Sequence, residues 1–226
     1  MEDNTPIIEG RHLFKKYVLH QGDYYALNDV SISVQSGEYV AVTGHSGSGK
    51  STLMNILGSI DAPTSGEILF EGISIKDYTE KQLAQLRNRS IGYVFQSFYL
   101  EPNYTVGKNV EMPLLIAGYD ARERKKRIQA VLEQVGMEKH IHQKAYMLSG
   151  GEKQRVSIAR ALVCNPKLIL ADEPCGNLDS ENTAIVMDIF HKLHQEQKTI
   201  ILITHSNEDA SQAERQIRMK DGKILS

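Results

Sequence analysis

Residues 39–57 read Tyr39-Val40-Ala41-Val42-Thr43-Gly44-His45-Ser46-Gly47-Ser48-Gly49-Lys50-Ser51-Thr52-Leu53-Met54-Asn55-Ile56-Leu57. An apolar run without alternation comes first, then a loop of the form G-x-x-x-x-G-K-S, then a helical pattern, so the order predicts strand, loop, helix. Glycines let such a loop curl until successive N–H groups face one point, at a helix N-terminus whose partial positive charge favours an anion. Gly44 to Ser51, with Thr52 behind them, are therefore read as a cradle for the phosphates of a nucleotide. In that cradle Lys50 holds the β and γ phosphates and the Ser51 hydroxyl ligates Mg2+. A flexible Gly/Ser turn would not need strand, loop, Lys-Ser and helix in this order.

Two further runs resemble residues 39–43 in lacking alternation, Leu168-Ile169-Leu170-Ala171 and Thr199 to Thr204. Strands buried on both faces of a parallel sheet read this way, so the expected class is α/β with a phosphate-loop, RecA-like core and a mainly parallel sheet. Ligands of open α/β sheets gather at the carboxyl ends of the strands. At those ends stand Asp172-Glu173, before Pro174, and His205. Asp172 is expected to complete the Mg2+ shell, and Glu173 to accept a proton from an attacking water. Alone, the two carboxylates read equally well as a solvated acidic turn; the phosphate loop shifts the balance. His205 is placed to meet the γ-phosphate or the water. Gln96, after the apolar Ile91-Gly92-Tyr93-Val94-Phe95, can offer a neutral oxygen to Mg2+ or water, and reads equally as a surface glutamine.

The remaining chain supplies the frame. Leu13 to Leu19 and Tyr25 to Val34 are β-rich and predict an N-terminal antiparallel layer. Residues 97–163 carry helical periodicity and predict a helical subdomain inserted in a single domain that spans 1–226. Within it, Asp120 to Val135 opens with an Asp-x-x-Glu capping box, puts Ile128, Val131, Leu132 and Val135 on one face, and stops at Gly136. Asp221-Gly222 between Gln216–Lys220 and Lys223–Leu225 predicts a closing hairpin. No apolar tract approaches the roughly 20 residues of a membrane helix, and Met1 to Gly10 lack a secretion signal. Cys164 and Cys175 have neither metal-site spacing nor suitable neighbours and are read as reduced structural thiols. A net charge of −2 gives no reason to expect nucleic acid. The basic cluster Arg122, Arg124, Lys125, Lys126 and Arg127 is interrupted by Glu123 and is read as a solvated helix face rather than a lipid or protein contact.

Leu148-Ser149-Gly150-Gly151-Glu152-Lys153-Gln154-Arg155, ahead of Asp172-Glu173, resembles the signature of ATP-binding cassette (ABC) ATPases. The resemblance covers nearly the whole chain: Tyr17 as the aromatic adenine platform, the phosphate loop, a glutamine loop at Gln96, the signature, and a D-loop Gly176-Asn177-Leu178-Asp179-Ser180. His205 matches the switch histidine. It implies ATP and Mg2+ as ligands and a homodimer in which Ser149, Gly150, Gly151 and Glu152 of one copy face the γ-phosphate held by the other. Asp179 is implied at the dimer interface. Ser149-x-x-Glu152 is also a capping box for the helix carrying Val156, Ala159 and Val163, and Asp179 a cap for the helix through Ile185, Val186, Ile189, Phe190 and Leu193.

Leu86 to Gln96, Asn109 to Leu115 and Asn177 to Ser180 resemble the branch that serves macrolide export and lipoprotein release. That branch implies a separately encoded permease, a place at the cytoplasmic face of the membrane, and export of antimicrobial peptides, antibiotics or lipid-linked substrates. An ATPase subunit of a membrane signalling or sensor complex is the alternative. ABC ATPases of DNA repair or translation carry coiled-coil insertions or a second cassette, which this chain lacks. Glu152 stands where many members have Gln, Cys175 where the branch often has Thr, and Ser206 where Asp is frequent.

Overall fold

A computed structural model describes residues 5–19 and 22–225. Residues 1–4, part of the stretch read for a secretion signal, lie outside it. The chain folds as two compact units, Met1–Ala84 with Gln197–Ser226, and Gln85–Glu196.

In the first unit, β1 (Ile8–Leu19) and β2 (Gly22–Val34) pair antiparallel, and β4 (Ser65–Phe70) and β5 (Ile73–Ser74) extend this layer in the order β2-β1-β4-β5. The antiparallel layer predicted at the N-terminus is present, but its strands begin earlier than Leu13 and Tyr25. Polar Glu9, Arg11 and Asp23 hide the extension: Arg11 is paired to Glu9 at 2.8 Å and Lys16 to Asp23 at 2.9 Å. Exposed strand positions accept such side chains at no cost to the buried face.

Beside it, β3 (Tyr39–Thr43) runs parallel to β8 (Thr199–Ile203) and to β9 (Arg215–Lys220), and β10 (Lys223–Leu225) closes the antiparallel hairpin. Tyr39, Val40, Ala41, Val42 and all five residues of β8 are buried, as unalternating strands require. Asp221 and Gly222 have φ of 49° and 75°, the left-handed pair that a two-residue hairpin turn needs. Helix α1 (Lys50–Leu57) follows β3 and buries Leu53, Met54, Ile56 and Leu57.

The second unit holds the parallel pair β6 (Ile91–Phe95) and β7 (Leu168–Asp172), with α3 (Val106–Ile116), α4 (Ala121–Gln134), α5 (Gly150–Leu162) and α6 (Ser180–Gln195). Helix α2 (Glu80–Arg89) precedes β6. Asp120 caps α4 by accepting from the Glu123 amide at 2.9 Å. The other half of the expected box is absent: the Glu123 carboxylate takes Arg127 at 2.8 Å instead. Arg124 likewise pairs with Glu111 at 2.8 Å, so two members of the basic cluster are engaged within the fold. Ile128, Leu132 and Val135 are buried, whereas Val131 is only half-buried. In α6 the buried stripe is Val186, Met187, Ile189, Phe190 and Leu193; Ile185 is 37% exposed and lies off it. Both cysteines are buried and unpaired with each other, and burial pushes the Cys164 thiol up. Among the described residues no helix is long and apolar enough to cross a membrane.

Candidate functional site

Each carbonyl of the loop between β3 and α1 meets a hydrogen-bonding group. Lys50 Nζ donates to Gly44 O at 2.7 Å and to His45 O at 3.1 Å. Ser46 O faces His45 Nδ1 at 2.9 Å, and Gly47 O accepts the Tyr24 hydroxyl at 3.1 Å. Ser48 O accepts the Gly222 amide at 3.1 Å and Gly49 O the Leu53 amide at 2.9 Å. With the carbonyls so committed, the N–H groups at the start of α1, which have no intrahelical partner, are what the loop offers a ligand. Glycine is required where the loop presses on its surroundings: a Cβ on Gly44 (φ 148°) would lie 2.3 Å from Met219 O, and on Gly49 (φ 100°) 2.3 Å from Ala26 O.

Lys50 is only 8% exposed, and among the described residues it has no carboxylate within ion-pair distance. A buried ammonium solvated by neutral carbonyls alone forms a stronger, charge-assisted bond when an anion enters. Val42 and Ile203 are register partners across β3 and β8, and the Thr204 amide donates to Val42 O at 3.2 Å. Exposed His205 therefore leaves the same carboxyl edge as the loop, as predicted. Ser206, the departure from Asp, accepts the Asp209 amide at 3.2 Å and keeps the capping role that Asp would fill.

Tyr17 is 39% exposed, with its hydroxyl donating to Asp61 Oδ2 at 3.3 Å and Lys15 Nζ 5.3 Å from its ring centroid. Burial alone would raise the Asp61 carboxyl; Lys15, the Ala62 amide and Tyr17 outweigh it and hold it below the usual carboxylate range.

In the second unit, Phe95 and Asp172 are register partners, so Gln96 and Glu173 leave one sheet edge side by side. Glu173 takes a left-handed φ of 47°. Gln96 Nε2 donates to Asn177 Oδ1 at 3.3 Å and Asn177 Nδ2 donates back to Gln96 O at 3.3 Å. A Cβ on Gly176 would lie 2.7 Å from Gln96 Nε2, so glycine lets the glutamine dock on the D-loop. The amide nitrogen of Gln96 is thus engaged, and its oxygen is the group left for a metal or water. Ser51 hydroxyl, Gln96 amide oxygen and Asp172 carboxylate are all hard oxygen donors, the chemistry Mg2+ prefers.

Ser149 caps α5 in a complete box: its amide donates to Glu152 Oε2 at 2.8 Å and its hydroxyl at 2.9 Å, while the Glu152 amide returns to Ser149 Oγ at 3.3 Å. Asp179 caps α6 through the Asn182 amide at 2.8 Å and also holds Asn182 Nδ2 at 2.9 Å. These bonds, the backbone one first, keep the Asp179 carboxyl below its ordinary range. A Cβ on Gly151 would fall 1.8 Å from Asn182 Oδ1, so the signature and the D-loop helix meet through this glycine.

The Glu152 carboxyl is held low, chiefly by the Ser149 amide, with burial opposing and the Ser149 hydroxyl, His140 and Arg155 assisting. A carboxyl depressed on folding stabilises above its unfolded range and loses that contribution as pH falls through its folded value. Acid melting should therefore be shallower in Glu152→Gln than in the wild type, by less than about 1 kcal/mol because the pair is largely exposed. Thermal melts stepped through acid pH check this, and parallel profiles would contradict it.

Sequence reasoning placed Asn177 in the D-loop without its bonds to Gln96, and passed over Tyr24 and Asn182 as site-supporting residues. Tyr24 lay in the gap between two predicted strands. Asn182 faces its partner only once α5 and α6 pack.

Comparison with known proteins places these features in context. Residues 27–176 match the ABC transporter family. The lipoprotein-releasing system ATP-binding protein LolD of Aquifex aeolicus is 49% identical over 203 residues, covering 89% of this chain and 90% of LolD. The macrolide export ATP-binding/permease protein MacB of Brucella melitensis is 44% identical over 224 residues, 98% of this chain but 34% of MacB. The dimeric structure of MJ0796, a bacterial ABC transporter cassette, superposes with a TM-score of 0.90 at 40% identity over 97% of each chain. A post-hydrolysis dimer of MJ0796 bound to ADP and Pi superposes with a TM-score of 0.90 at 38% identity, again over 97% of each chain.

Proposed function

The chain belongs to the ABC transporter family and is an ATPase of that family; from this premise we propose that it drives a separate transmembrane permease from the cytoplasmic face of the membrane. The observation that carries the reading is the buried Lys50 ammonium, held among the described residues by the carbonyls of Gly44 and His45 beneath the loop. It works as one nucleotide-binding domain, 1–226, whose helical subdomain spans about 97–163. The permease exports antimicrobial peptides, antibiotics or lipid-linked substrates, in keeping with the 49% identity to LolD and 44% to MacB.

Gly44 to Thr52 hold the phosphates of ATP, with Lys50 on the β and γ groups, and Tyr17 carries the adenine. Ser51, Gln96 and Asp172 would hold Mg2+, which would neutralise negative charge on the phosphates. Glu173 takes the proton of the attacking water, and His205 holds that water or the γ-phosphate. In the homodimer, Ser149, Gly150, Gly151 and Glu152 of the second copy complete each site, with Asp179 at the interface. Closure on ATP and opening after cleavage are the motion handed to the permease.

The permease contact is expected in the second unit, where a cavity of about 310 Å³ is lined by Arg87, Tyr93, Phe95, Pro113, Arg160 and Cys164. Helix α3, which supplies Pro113, also exposes Met112, Leu115 and Ile116. An Ile116→Cys chain carrying a short cross-linker should label one polytopic membrane protein, and the two reconstituted in vesicles should move a substrate when ATP is supplied. ATP turnover that answers to this partner without movement of any substrate would transfer the chain to the signalling reading.

A further inference from the structure

We propose that Tyr24 is a positioning residue for the phosphate loop, its hydroxyl pinning the Gly47 carbonyl outward so that the loop amides stay aimed at phosphate. The inference rests on the reading of Gly44 to Ser51 as the phosphate cradle.

Gly47 is the point at which this loop is freest. Its φ is 78°, and no atom lies within 4 Å of the position a Cβ would take. A peptide next to such a glycine can rotate at little steric cost. The peptide between Gly47 and Ser48 presents Gly47 O on one side and the Ser48 N–H on the other, and that N–H lies on the loop's own side, donating to His45 O at 3.2 Å. Pinning the carbonyl outward therefore also pins the amide inward. Rotation would exchange an N–H for a carbonyl oxygen on the side meant for an anion, which replaces attraction by repulsion.

The other carbonyls of the loop have backbone donors or depend on groups within the loop. Ser48 O and Gly49 O are held by the amides of Gly222 and Leu53, and Ser46 O faces the neighbouring His45 ring. Gly44 O and His45 O share the Lys50 ammonium, which is the group that must swing to phosphate. Gly47 O is bonded to a side chain from a different element, Tyr24 of β2, at 3.1 Å. That contact does not depend on Lys50, so, like the backbone bonds to Ser48 O and Gly49 O, it remains when the ammonium turns to phosphate.

Tyr24 is also the register partner of Tyr17 on β1, which places the two rings on one face of the strand pair. Tyr17 is tied to Asp61 and Tyr24 to the loop. The competing role for Tyr24 is thus contact with the base through its ring, and a test must separate hydroxyl from ring and phosphate from base.

Tyr24→Phe keeps the ring at a half-exposed position and removes only the hydroxyl, so folding is retained and the melting midpoint without ligand should be unchanged. Dissociation constants for ADP and for inorganic pyrophosphate, each with Mg2+, are measured by calorimetric competition. Loss of one net hydrogen bond is expected to weaken both by about fivefold, and to raise KM for ATP by a similar factor with kcat within about twofold. Weaker ADP with unchanged pyrophosphate would assign Tyr24 to the base and overturn the proposal, as would unchanged binding of both. If the wild type binds neither, the phosphate-cradle reading itself fails, a result distinguishable from failure of the Tyr24 role alone.

Discussion

Glu173→Gln is expected to bind Mg-ATP as the wild type does while hydrolysing it about 10²- to 10⁴-fold more slowly, the range that a lost general base costs. Glutamine keeps the size and the hydrogen-bonding reach of the side chain but cannot take a proton at neutral pH. The backbone at this position has φ 47°, and the Gly176 amide donates to its carbonyl at 3.0 Å, neither of which the substitution alters. Nucleotide that cannot be cleaved should hold two copies together, so the variant should accumulate as a dimer in ATP. Single-turnover hydrolysis and light scattering read the two effects separately. Turnover at the wild-type rate would remove Glu173 from the base role and leave Asp172 and His205 at the strand ends to be tested for it.

Replacing the buried cation should act on binding instead. Lys50→Met keeps the aliphatic stem and removes an ammonium that, among the described residues, is satisfied by Gly44 O and His45 O. Two charge-assisted bonds to phosphate are lost, at about 1.5–3 kcal/mol for each hydrogen bond to a charged group, so ATP affinity should fall by about 100-fold or more. Because the change also takes a charge out of a buried place, the melting midpoint without nucleotide should stay level or rise. Equilibrium binding of ATP to the folded variant checks this, and near-native affinity would show that the ammonium does not face phosphate.

The strands that carry the site were legible because burial on both faces leaves an unalternating apolar run. Tyr39–Thr43, Leu168–Asp172 and Thr199–Ile203 are such runs, and each ends where a motif begins. The loop could be read because a curl of this kind needs glycine at fixed positions. The caps at Ser149, Asp120 and Asp179 could be read because a helix start needs an acceptor for its free amides.

What the sequence did not disclose depends on meetings between distant segments. Glu123 fits a box by spacing, yet Arg127 one turn on competes for its carboxylate and wins. Ile185 has the spacing of the buried stripe in α6, but its side falls toward solvent. The reach of Tyr24 to Gly47 required the register of β1 on β2, and the docking of Asn182 on Gly151 required two helices to pack before the glycine acquired its meaning. Branch-level stretches such as Asn109 to Leu115 flank the nucleotide site without forming it. Asn109 in fact holds the preceding loop, accepting the Glu101 amide at 2.7 Å.

The claim beneath all of this is that the amide-lined loop ahead of Lys50 takes a nucleotide triphosphate which a second copy then clamps. Calorimetric titration of the folded chain with ATP, in the presence and absence of Mg2+ and followed by mass measurement at saturation, tests it most directly. Mg-dependent uptake of one ATP per chain is expected, with a doubling of mass when hydrolysis is blocked by Glu173→Gln. Heat of dilution only, or uptake by a particle that remains a monomer in that variant, would contradict it.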